Sequence, residues 1–78
     1  MINIKLKKIL KYIDSEIDVR IWYADHPAEK YKIWEGAKFE IPKKFKKYQL
    51  VKAENNNGSE AMFPMKNGKL RITIVKKQ

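Results

Sequence analysis

Cysteine is absent from these 78 residues, and histidine occurs once, as His26. A structural zinc site draws its ligand set from Cys and His, so ligand count alone excludes a zinc finger or ribbon. Disulfides are excluded too. Stability must come from packing, or from self-association, in a chain short enough to hold one modest core. The lack of cysteine fits a reducing compartment. Glycine is scarce, with residues at 36, 58 and 68 too scattered for either Gly-rich phosphate fingerprint. Long apolar runs are missing as well. The opening stretch from Met1 to Leu10 is interrupted by Lys5, Lys7 and Lys8, so it reads neither as a secretory signal nor as a membrane span. The expectation is one soluble, cytoplasmic domain over residues 1–78.

Hydrophobic residues make up 44% of the chain and charged ones 35%, and two Trp, four Tyr and three Phe are available for burial. That balance belongs to a globular protein, because disordered chains are poor in such residues. Lys plus Arg number 18 against nine Asp plus Glu, a formal net charge of +9. Such a field favours nucleic acid, an acidic protein surface or an anionic membrane. A lysine-rich proteome produces the same balance with no partner at all.

After Asn3, a suitable N-cap, Leu6, Ile9, Leu10 and Ile13 recur at the spacing of one helical face, which predicts a helix from about Ile4 to Asp14. Lys7, Lys8 and Lys11 fall on the opposite face, either solvated or laid along phosphates. Ile17, Val19, Ile21 and Tyr23 alternate with Asp18, Arg20 and Trp22 as a half-buried strand does. A turn from Asp25 to Glu29 leads back through Tyr31, Lys32, Ile33 and Trp34, so the pair reads as an antiparallel hairpin ended by Gly36. Pro42 suits the first turn of a short helix over Lys43 to Lys47, with Phe45 as its inward anchor. Tyr48 to Glu54 is a third strand, and Leu70 to Val75 the clearest strand of all. Between them, Glu60 to Met65 reads as a short edge strand limited by Pro64, joined by an Asn67-Gly68 type I′ turn. The predicted fold is α+β, an antiparallel sheet of four or five strands with the N-terminal amphipathic helix on one face. Its order is α-β-β-short α-β-(β)-β.

The opening helix Leu6-Lys7-Lys8-Ile9-Leu10-Lys11-Tyr12-Ile13, the strand Asp18-Val19-Arg20-Ile21-Trp22-Tyr23, Gly36 followed by Ile41-Pro42, and the β-branched closing strand together resemble short accessory proteins of phages and prophages from low-GC Gram-positive bacteria. The chain departs from that group in its lysine-rich rather than acidic short helix, and in the long segment from Asn55 to Gly68. The resemblance implies a context in which such proteins bind and redirect or disable a host component, restriction and CRISPR nucleases included. It carries over no functional residue.

Catalytic patterns are not visible. Ser15 and Ser59 lie in turns with no nucleophile elbow, His26 sits beside Pro27, and Asp14, Glu16 and Asp18 diverge at a helix-to-strand junction. The chain therefore reads as a non-catalytic binding protein with no cofactor and no metal. Two features carry that reading. The first is the segment Lys38 to Lys52, six lysines against the single acid Glu40, whose helical Lys43, Lys44, Lys46 and Lys47 read either as a solvated face or as a cluster suited to neutralising phosphates. The second is strand parity: if Val19, Ile21, Tyr31 and Ile33 face the helix, then Arg20, Trp22, Lys32 and Trp34 share the other face, where they form either a stacking surface or a second core. The expected partner is nucleic acid or an anionic surface of a nucleic-acid-handling host protein, not a membrane. The alternative is a protein-interaction inhibitor or small homo-oligomer with incidental charge, contacting its partner through Met62, Phe63 and Met65.

Overall fold

The computed structural model describes residues 4–24 and 32–75. The turn expected around His26, Tyr31, and Asn3 as helix cap all lie outside the described residues. The chain runs through α1 (Lys7–Leu10), β1 (Asp18–Tyr23), β2 (Lys32–Ala37), a 3₁₀ turn (Lys38–Glu40), α2 (Lys43–Lys46), β3 (Gln49–Asn55) and β4 (Lys69–Val75).

The α+β class holds, but the sheet is mixed rather than antiparallel. Its order is β2-β1-β4-β3. β1 pairs antiparallel with β2, β4 pairs antiparallel with β3, and β1 and β4 run parallel at the centre, with Val19 opposite Leu70 and Ile21 opposite Ile72. Hairpin signals are local, whereas this parallel pair joins strands from the two ends of the chain. What drives it is burial. Val19, Ile21, Leu70, Ile72 and Ile74 are fully buried, and only a central position shelters two such strands from water at once.

One face of the sheet carries the core. Leu6, Ile9, Leu10 and Ile13 of the α1 segment, with Ile41 and Phe45 around α2, pack onto it as a single cluster. The apolar spacing therefore holds although α1 is much shorter than expected. Its flanking turns are closed by tighter bonds, Lys8 N–H to Lys5 O at 2.9 Å and Tyr12 N–H to Ile9 O at 3.0 Å, and its N-cap is Leu6. Leu6 and Ile13 reach the core from these turns.

The segment between β3 and β4 forms no fifth strand among the described residues. After a turn in which Gly58 N–H donates to Asn55 O at 2.9 Å, residues 59–61 lie against the outer edge of β3, with Ala61 N–H bonded to Ala53 O at 3.1 Å. The chain then crosses to the end of α1. There Met65 N–H donates to Tyr12 O at 2.7 Å and Asp14 N–H to Met65 O at 2.9 Å. Gly68 has φ of +94°, but Asn67 does not share a positive φ, so Asn67-Gly68 does not form the expected type I′ turn.

Candidate functional site

The two groups of side chains singled out from the sequence lie on opposite sides of the sheet. On the face turned away from the helices, the register brings together Asp18, Arg20 and Trp22 of β1, Lys32 and Glu35 of β2, Lys69, Arg71 and Thr73 of β4, and Lys52 and Glu54 of β3. Charges of both signs interleave there. Arg20 Nε lies 3.3 Å from a Glu35 oxygen, Lys52 Nζ lies 3.7 Å from Glu54, and Lys32 also pairs with Glu35. The hydrogen bond from Lys32, more than any other cause, holds the Glu35 carboxyl below its ordinary range. Arg20 also donates to Asn56 Oδ1 at 3.3 Å, and the Arg71 guanidinium stacks 5.1 Å from the Trp22 ring.

Trp34 does not join this face. The pairing of β1 with β2 shifts between Ile21 and Trp22: Trp22 opposes Lys32 while Ile21 opposes Trp34, so Ile33 is an extra residue. A bulge of this kind reverses parity, which is why simple alternation put Trp34 on the wrong side. Trp34 and Ile33 instead pack against the core cluster. The indole lies over Gly36, where an added Cβ would stand 2.8 Å from a ring carbon. Gly36 thus provides space inside the strand, which continues to Ala37, and does not end it.

The lysine cluster lies on the helical layer. α2 follows Pro42, whose φ of −59° leads into its first turn, and Phe45 is buried against the core as its anchor. Lys43, Lys44 and Lys47 are exposed and Lys46 is half-buried. Their neighbours were missed at the sequence level. Leu6 N–H donates to Tyr48 O at 3.0 Å, Leu50 N–H donates to Ile4 O at 2.8 Å, and Lys5 bridges to Gln49. The start of the α1 segment is therefore stitched to the end of α2, and Lys7, Lys8 and Lys11 join the α2 lysines in one layer, while Lys5, paired with Gln49, lies on the side of the sheet that Gln49 shares with Val75. Residues 4–13 and 41–48 hold eight lysines and no Asp or Glu. None of the eight makes an ion pair with a described residue; Lys44 and Lys11 rest 5.2 Å from the rings of Phe45 and Tyr12. The signal available in the sequence was the lack of acid in both segments. Their adjacency required the fold.

The alternative contact set is divided. Met62 is 82% exposed and Phe63 rims a shallow apolar groove with Ile4, Leu50, Val51 and Ala61, but Met65 is buried in the core and is not a surface residue. Among the described residues no group of Asp, Glu, His or Cys is arranged to hold a metal ion, and no helix is long and apolar enough to cross a membrane. Family models, curated proteins and solved structures offer no match to the chain.

Proposed function

We propose that this protein is a non-catalytic module that binds nucleic acid through the lysine-covered helical layer. The observation that carries the reading is the segregation of charge. The open sheet face ties up Arg20, Lys32 and Lys52 in ion pairs, whereas the layer formed by α1 and α2 gathers seven lysines that make no ion pair with a described residue. Uncompensated lysines raise the energy of the free protein by mutual repulsion, and a polyanion relieves that repulsion while releasing its own counterions. Phosphates are the chemistry such a surface fits best. Arg20, Trp22 and Lys32 are left out of the contact, because a ligand lying on the helical layer cannot reach the opposite face.

Anisotropy titration of labelled nucleic acid at low salt tests the reading. Lys44→Ala and Lys47→Ala are each expected to weaken binding and to reduce the slope of log affinity against log salt by about one unit. Lys69→Ala, on the open face, is expected to leave affinity within about twofold. An absence of binding at about 100 µM protein, weaker than ordinary non-specific association, overturns the proposal. The protein-contact alternative then rests on Met62 and Phe63, the exposed pair beside the apolar groove.

A further inference from the structure

We infer that the ligand of the helical layer is the backbone of a duplex, bound without regard to sequence, with one chain covering about eight base pairs. The inference rests on the nucleic-acid reading above and specifies its ligand.

Side-chain chemistry supports sequence independence. Base edges are read by Arg or Lys on guanine and by Asn or Gln on adenine, and of these lysine is the least directional, a flexible point charge in place of a planar fork. Residues 4–13 and 41–48 contain no Arg, Asn or Gln. The only two arginines of the chain, Arg20 and Arg71, lie on the opposite face of the sheet. The layer is equipped to hold phosphates and lacks the planar side chains that discriminate bases best.

The placement of aromatic rings supports a duplex over a single strand. Proteins that hold single strands combine a basic track with aromatic platforms on which successive bases stack. Here Phe45 is buried beneath the lysines and Tyr48 is packed against the core, so neither is a free platform. Trp22 is on the far face, where the Arg71 guanidinium lies against its ring. Of the exposed rings, Phe39 belongs to the 3₁₀ turn, Phe63 rims the apolar groove beside β3, and Tyr12, at the end of the α1 segment, has the Lys11 ammonium 5.2 Å from its ring. A duplex needs no such platform and brings more phosphates to a rigid surface.

The longest dimension of the molecule, 28 Å, spans about eight base pairs at roughly 3.4 Å per step. A flat approach to a cylinder leaves some lysines beyond reach. An expected salt slope of about −4.5 to −5.5 corresponds to five or six engaged phosphates.

The test uses the intact protein with a labelled DNA duplex of about 24 base pairs, its separated strands, and duplexes of unrelated sequence. Expected are tighter binding to the duplex than to either strand, affinities within about threefold across sequences, and saturation near three chains per duplex. Tyr12→Ala and Phe39→Ala should leave duplex affinity within about twofold. Lys47→Glu should weaken it, and Lys47→Arg, which keeps the charge, should restore it. Circular dichroism on each variant separates loss of binding from loss of fold. Single strands bound as tightly as the duplex, or a preference above about tenfold for one sequence, overturn the inference and leave the nucleic-acid reading standing. No binding to any of these probes overturns both.

Discussion

Gly36 and Trp34 illustrate how one residue without a side chain determines where the largest side chain in its strand can go. The indole occupies the volume a Cβ would take, 2.8 and 2.9 Å from the ideal position, so Gly36→Ala must displace a rigid ring. We expect a loss of about 1 to 3 kcal/mol, the range for overpacking a fitted site, with a red shift of tryptophan emission as Trp34 moves toward water. An unshifted emission spectrum and an unchanged melting temperature would refute the contact. Truncation acts oppositely at Ile21 and Ile72, which face each other across the central parallel pair and are fully buried. Alanine at either is expected to cost about 2 to 5 kcal/mol, read by thermal or urea unfolding, a large share of the stability of a domain this small.

Among elements, the ones that follow a repeating pattern emerged from sequence and the ones that interrupt a pattern did not. Period-two alternation located β1 and β4 to within a residue, and the spacing of Leu6, Ile9, Leu10 and Ile13 identified the buried face of α1 although not its length. Phe45 as the anchor of α2 was also foreseeable. The bulge at Ile33 and its counterpart between Leu50 and Lys52 obey no repeat, since a bulge is set by the fit between two strands rather than by either alone. The candidate site suffered accordingly: the α2 lysines were visible, while the parity of Trp34 and the juxtaposition of Lys7, Lys8 and Lys11 with α2 awaited tertiary structure. The segment from Asn55 to Lys66 was the other surprise. Its composition resembles a dispensable loop, yet Ala61 and Met65 are buried and Met65 brackets the end of α1 with two backbone hydrogen bonds. Replacing residues 55–66 with a two-residue turn is therefore expected to unfold or strongly destabilise the domain, with a drop of about 2 to 5 kcal/mol from the loss of Met65 alone. Retention of the parental melting curve would show that α1 is held by its own apolar face.

At the scale of the whole molecule, the sheet sorts the charge. Its helical side carries lysines that make no ion pair with a described residue, and its open side sets Arg20, Lys32, Lys52, Lys69 and Arg71 among Asp18, Glu35 and Glu54. Two consequences follow from one arrangement. The open face, partly offset by its carboxylates, attracts a polyanion less strongly, and the helical face repels a second copy of itself, which disfavours self-association through that layer. Raising salt should therefore weaken binding of nucleic acid while leaving the fold nearly unchanged, because the core holds no charged residue among the described ones.

The parallel union of β1 with β4 also has a history in time. The strand that fills the centre of the sheet is the last of the four in chain order, and until it is made β1 has only β2 beside it and β3 lacks its inner neighbour. A nascent chain ending before Lys69 would present Val19, Ile21 and Ala53 to water with nothing between them. Shortened chains stopping at residue 68 are expected to show no cooperative melt and to be cut rapidly by protease, whereas addition of a peptide spanning residues 69–75 would be the complementary trial of whether the missing strand alone completes the sheet. Folding of this small protein is expected to be slow relative to helical domains of its size, because the decisive contact closes a loop of about fifty residues.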